Sequence, residues 1–223
     1  MSTVYDCSQP DSRTAGLNAA RGALKAGRLV VVPTDTVYGV AADAFDSEAV
    51  ASLLRAKGRG RDMPVPVLVG SWNTIDGLVT TVRPPETREL IRAFWPGGLS
   101  LVVHQAPSLA WDLGGDTRGT VMLRMPLHPV ILELLREVGP LAVSSANVSG
   151  QAPATVVDDA RRQLGASVSV YLDGGPSEHA VASTIVDMTS DRPRILREGA
   201  VSIEAIAEVL GEDPDRLRPG GGE

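Results

Sequence analysis

Apolar residues recur along the chain at two alternating periods, and the alternation divides it into short strands and amphipathic helices. After a polar lead, Leu17, Ala20 and Leu24 follow at helical spacing and Gly27 stops the run, which predicts a helix over 14–26. Leu29 to Val32 is unbroken apolar sequence and predicts a strand. Val50, Leu53 and Leu54 form the next stripe, with Ser47 placed to cap it, so a helix runs to about Lys57. "VPVLVG" predicts a strand, "PETRELIRAFW" a helix begun by proline, "LSLVVH" and "GTVMLRM" two strands, and "HPVILELLREVG" a helix closed by Gly139. "PLAVSS" is another strand. A helix from Thr155 to Leu164, strands at "VSVYL", "STIVDM" and "PRILRE", and a last helix at "SIEAIAEVL" complete the pattern. Strands and helices interleaved to the end predict an α/β layer structure around a largely buried, twisted sheet. The tail "GEDPDRLRPGGGE" has turn formers and charges but almost nothing to bury, so a disordered or surface arm is expected.

Composition narrows this picture. A chain of 223 residues, 43% hydrophobic and only 4% aromatic, predicts one large domain whose core is built from Val, Leu, Ile and Ala, as suits buried strands. The formal net charge of -6 argues against gripping nucleic acid over the whole surface, because such binding neutralises phosphates; a local basic patch is still allowed. Cys7 is the sole cysteine, so the chain has no internal disulfide framework and no Cys-based metal site, which fits a reducing cytoplasm. The first residues, "MSTVYDCSQPDSR", lack the segments of a signal peptide, and no run reaches the roughly 18 apolar residues of a membrane span. A soluble, cytoplasmic protein without membrane association is expected.

Against the acidic balance, Arg55, Lys57, Arg59 and Arg61 place four cations in seven residues. Positions 50, 53, 54 and 57 are one helical stripe, so Lys57 should point into the fold or into a cleft. A helix-end cation that complements the dipole, or snorkels from the helix edge, is the competing reading. Gly58 and Gly60 between the cations let a backbone pass close to a bulky anion, and a polyphosphate suits. In "GTVMLRM", Thr120, Met122 and Arg124 share one strand face, which points a hydroxyl and a guanidinium the same way. Arginine's fork matches carboxylate or phosphate, although a half-exposed arginine at a sheet edge would give the same pattern. "PLAVSSANVSG" carries Ser144, Ser145, Asn147 and Ser149 out of a strand, where α/β proteins place ligands and where capped turns also occur. There is no phosphate loop, dinucleotide fingerprint or nucleophile elbow, and His104, His128 and His179 are scattered. Serine hydrolase and zinc chemistry are therefore disfavoured.

Together these segments resemble the YrdC-like family of L-threonylcarbamoyladenylate synthases in its short, single-domain form. The resemblance covers about residues 14 to 200: "PTDTVYG" at 33–39, the K-x-R element at Lys57 and Arg59, "WPGGLS" at 95–100, "VMLRMPLHP" at 121–129, the S-x-N element at Ser145 and Asn147, and "STIVDM" with "ILREG". Departures are Gly60 in place of the usual proline, Met63 in place of a basic or amide residue, Val65 in place of leucine, and Gly98 and Ser100 in place of the commoner proline and threonine. The resemblance implies a strongly twisted mixed α/β sheet flanked by helices, with a large concave face. It implies a catalytic domain over 1–200, with 201–223 a C-terminal helix and flexible tail.

The activity implied is nucleotidyl transfer: L-threonine, bicarbonate and ATP give threonylcarbamoyl-AMP, pyrophosphate and water. By the same resemblance, Lys57 and Arg59 are catalytic and also bind ATP, together with Arg61, Thr120, Ser145, Asn147 and Arg197. Thr34, Arg124 and Ser183 hold threonine, Mg²⁺ accompanies the ATP, and no protein residue is implied as a metal ligand. A separate transferase would use the product to modify the adenosine beside the anticodon of tRNA, with at most a weak tRNA contact by this chain. Two other readings compete: an RNA-binding module using the basic concave face without catalysis, and a carbamoyl-transfer domain of the hydrogenase-maturation kind. Net charge counts against the first and the missing zinc-finger cysteines against the second.

Overall fold

A computed structural model describes residues 2–61, 63–80, 86–177, 180–190 and 192–218. Among them the chain runs β1 (Thr3–Asp6), α1 (Pro10–Lys25), β2 (Leu29–Val32), β3 (Gly39–Asp43), α2 (Ser47–Ala56), β4 (Val67–Leu68), α3 (Glu86–Phe94), β5 (Leu99–His104) and β6 (Thr120–Arg124). It continues with α4 (Pro129–Val138), β7 (Leu141–Ser145), α5 (Val157–Leu164), β8 (Val168–Asp173), β9 (Thr184–Asp187), β10 (Arg194–Arg197), α6 (Ile203–Leu210) and α7 (Pro214–Leu217). No helix of the described residues is long and apolar enough to cross a membrane.

The strands form one mixed sheet in the order β1-β8-β2-β3-β7-β4-β6-β5-β9-β10. Alternation along each strand divides its residues between two layers. Leu29 and Val31, Val40 and Ala42, Val67, Val121 and Leu123 join the core that also takes residues of α2, α3, α5, α6 and α7. Val30, Val32, Ala41 and Val143 face the other way and pack with α1 and α4. Those two helices contribute to the core over β1, β8, β2, β3 and β7, whereas Pro66, Ser100, Met122 and Ile185 line open space further along the sheet. That uneven cover leaves the concave face expected of the mixed α/β sheet.

Local differences from the pattern have physical causes. β3 was not anticipated: its "GVAAD" has no branched run beyond Val40, yet it is buried and pairs with both β2 and β7. Gly39 is needed there because a Cβ would lie 2.6 Å from Val143 Cγ1. The cap of α2 is Asp46 rather than Ser47, its carboxylate accepting from the Glu48 and Ala49 amides. "VPVLVG" contributes only Val67–Leu68 as strand, since Pro64 and Pro66 remove two ladder donors. Beyond Gly211 the chain forms α7 and buries Leu217 to 2% exposure, so this part of the expected arm belongs to the core. Residues 219–223, the expected proline start of α3 at Pro85, and His179 lie outside the described residues.

Candidate active site

The loop joining β2 to β3 folds on its own hydroxyls. Thr34 Oγ1 donates to the Val37 carbonyl at 2.6 Å, accepts from the Thr36 amide at 3.2 Å and lies 3.0 Å from Thr36 Oγ1. Thr34 has given its proton to Val37, so Thr36 is the donor between the two hydroxyls. Thr36 in turn accepts from Arg124 Nη1 at 2.9 Å, which makes one polar chain from guanidinium to backbone. Arg124 is buried at the end of β6, where its Nε donates to the Gly97 carbonyl at 2.9 Å and its Nη2 to Asp35 Oδ1 at 2.6 Å. Burial pulls its pKa down, while the Asp35 charge opposes the shift.

Lys57 ends α2 as predicted by its stripe, pointing into the fold. It is 3% exposed, and its ammonium donates to the Ser145 carbonyl at 2.5 Å and to the Asn147 carbonyl and Oδ1 at 2.8 and 3.3 Å. All three N–H groups are spent on the loop after β7. Burial, and then repulsion from Arg59, push its pKa down to about 8. Asn147 completes the loop by donating from Nδ2 to the carbonyls of Val148 and Gln151. The solvated helix-end reading of Lys57 does not describe this side chain.

On the opposite wall, Ser100 and Ser183 share a hydrogen bond of 2.9 Å. Arg197 donates to the Ser183 carbonyl from Nε and Nη2, at 3.1 and 2.8 Å, and to its hydroxyl at 3.2 Å. Between these walls is a cleft of about 450 Å³, whose polar lining includes Thr34, Thr36, Arg59, Arg124, Ser145, Ser183 and Arg197. Leu68, Met122, Val143 and Ile185 give it an apolar floor. Among the described residues no carboxylate lines the cleft, although the chain as a whole is acidic.

The sequence-derived residues therefore divide. Thr34, Arg59, Arg124, Ser145, Ser183 and Arg197 meet at the cleft, with Lys57 and Asn147 buried behind the Ser145 loop. Arg61 instead pairs with Asp112 at the surface, and Thr120 donates to the Thr117 carbonyl; neither lines the cleft. Asp35, Thr36 and Ser100 were not singled out from the sequence. The first two stand inside "PTDTVYG", where the alternating hydroxyls around a carboxylate are a usable signal for a self-bonded turn.

The sequence profile of the Sua5/YciO/YrdC family, described as telomere recombination, matches residues 22–199. The chain belongs to this family. A relative in Mycobacterium tuberculosis (strain H37Rv), named provisionally as a threonylcarbamoyl-AMP synthase, is 68% identical over 217 residues, covering 97% of this chain and 99% of the relative. The Pyrococcus abyssi protein named threonylcarbamoyl-AMP synthase is 34% identical over 197 residues, 88% of this chain. This chain spans only 57% of that longer Sua5/YciO/YrdC relative. A crystal structure of P. abyssi Sua5 complexed with L-threonine superposes with a TM-score of 0.85 at 31% identity, covering 95% of this chain and 61% of that one.

Proposed function

We propose that the chain is a threonylcarbamoyl-AMP synthase, joining L-threonine, bicarbonate and ATP and releasing pyrophosphate and water. The observation that carries this reading is a cleft whose described lining residues include three arginines and several hydroxyls and no carboxylate, in a chain of net charge -6. Such a cleft suits an anionic ligand with a small polar end, and the relatives' names and the threonine complex of P. abyssi Sua5 support it. Among the described residues no lining His, Cys, Asp, Glu or Lys is present to act as an acid or base. The chemistry asked of the protein is then positioning and charge stabilisation.

In the proposed reaction the threonine amine attacks bicarbonate carbon and loses water to give a carbamate. A carbamate oxygen then attacks the α-phosphorus of ATP, forming one P–O bond while the bond to the β-phosphate oxygen breaks. Pyrophosphate leaves with the electron pair. Arg59 faces the phosphates, with Lys57 behind it fixing the Ser145–Asn147 loop, and Arg124, Thr34 and Ser183 take threonine. Arg197, assigned to the nucleotide side by resemblance, is bonded to Ser183 and so adjoins the threonine side as well. No group of three or more metal-binding side chains stands together among the described residues. Magnesium would enter with ATP, its ligands being phosphate oxygens and water. The product would pass to a separate transferase acting on tRNA. Pyrophosphate release measured with single components left out tests the proposal: it should require threonine and bicarbonate together, and turnover without bicarbonate would sink it.

A further inference from the structure

We propose that Asp35 is a positioning residue of the cleft: its carboxylate fixes the Arg124 guanidinium so that the fork's remaining N–H groups meet the substrate carboxylate. The proposal rests on the reading of Arg124 as threonine's partner. Asp35 is absent from the cleft lining and sits behind Arg124, with its side chain 15% exposed and that of Arg124 8% exposed. One oxygen, Oδ1, accepts both Arg124 Nη2 at 2.6 Å and the Leu127 amide at 2.9 Å. The same atom therefore ties the guanidinium to the turn between β6 and α4.

The fork has five N–H groups, and three of them are accounted for. Nε is held by Gly97, Nη1 by Thr36 and Nη2 by Asp35. One N–H remains on each terminal nitrogen, and Arg124 lines the cleft. A planar, rigid fork held at three points has one orientation left to it, which is the preorganisation that recognition of a carboxylate requires. Asp35 also supplies the negative charge that a desolvated guanidinium needs, since Arg197 nearby repels it.

Two roles predict opposite signs. A carboxylate that only dampens the positive potential should, once removed, strengthen binding of an anionic substrate. A positioning carboxylate should weaken it selectively. Asp35→Asn keeps the shape and removes the charge, and Asp35→Ala removes the tether; each would be compared with wild type for KM of threonine, KM of ATP, kcat, calorimetric threonine binding and thermal unfolding. We expect the threonine KM to rise about tenfold or more, the scale of one charge-assisted bond, with the ATP KM within about twofold. In a double variant with Arg124→Ala, the Asp35 substitution should add nothing further to the threonine KM.

KM does not depend on the fraction of folded protein, so a purely structural Asp35 would lower the unfolding temperature and leave the threonine KM unchanged. An unchanged or lower threonine KM in Asp35→Asn overturns the proposal, as does full additivity in the double variant. If Arg124→Ala itself leaves the threonine KM unaltered, the underlying assignment of Arg124 fails, and that result is distinguishable from failure of Asp35 alone.

Discussion

Replacing Lys57 by methionine keeps an unbranched apolar stem, one atom shorter, while deleting the charge and three donors. The structure sets two magnitudes for this change. Hydrogen bonds from a charged donor contribute about 1.5–3 kcal/mol each, but the ammonium's burial opposes them. The fall in its pKa from the ordinary 10.5 to about 8 corresponds to about 3 kcal/mol of desolvation and repulsion by Arg59. Ser145 keeps a second partner, since its carbonyl also accepts the Asn147 amide at 2.9 Å. Three such bonds less that opposing cost leave a net loss of about 1.5–6 kcal/mol in Lys57→Met, against the roughly 5–15 kcal/mol of a typical domain, so thermal unfolding is followed beside turnover. Turnover should fall about 10²-fold, because the S-x-N loop loses its anchor and a misplacement of about 1 Å at the site costs on that scale.

The pH dependence sharpens the test. Between pH 8 and 10.5 the unfolded chain holds the Lys57 proton and the folded chain does not, so this group makes stability rise with pH across that window. Activity should move the other way and decline above about pH 8, because a neutral amine offers two N–H groups to three acceptors and no positive charge. Lys57→Met should lose both trends. Pyrophosphate release and thermal unfolding would be followed from pH 7 to 10 on wild type, Lys57→Met and a control, Lys25→Ala, at the end of α1. Near-normal turnover in Lys57→Met, or a wild-type activity decline that persists in it, would refute the reasoning.

Arg124→Ala should raise the threonine requirement by at least tenfold, as loss of one charge-assisted bond implies, while changing that for ATP little; steady-state kinetics with each substrate varied would show it. Serine should replace threonine poorly, with kcat/KM lower by about fivefold, because one methyl contact is worth about 1 kcal/mol; equal use of leucine would contradict a small threonine site. Leu217→Ala should cost about 2–4 kcal/mol, read by chemical denaturation, because the side chain is buried in the main core. Gly199→Ala should also be destabilising, since a Cβ there would overlap the Ala182 and Ser183 backbone beside the cleft.

Short-range patterns revealed much of this arrangement. The stripe of Val50, Leu53 and Leu54 turned Lys57 inward, and strand alternation aimed Met122 and Arg124 at the same open face. What the patterns could not supply was distance along and across the chain. Thr120 does share Arg124's strand face, but at about 3.3 Å per residue it stands roughly 13 Å away, outside the cleft lining. Arg61 obeyed the local logic of a basic cluster until Asp112, 51 residues on, drew it to the surface. The acceptors of Lys57 are 88 and 90 residues distant, so the stripe turns the cation inward without naming the loop it clamps. β3 escaped notice because a central strand made of Gly and Ala shows no period of its own and is held by its two neighbours.

The central claim is that this cleft condenses bicarbonate, threonine and the adenylyl group of ATP into one molecule. Incubating the purified chain with ATP, threonine and isotopically labelled bicarbonate, and analysing the products at once by mass spectrometry, tests it most directly. The account predicts a threonine-dependent adenylate carrying one labelled carbon, formed in step with pyrophosphate and lost with Lys57→Met. Threonyl-AMP without the label, or pyrophosphate release with no labelled adenylate, would contradict it.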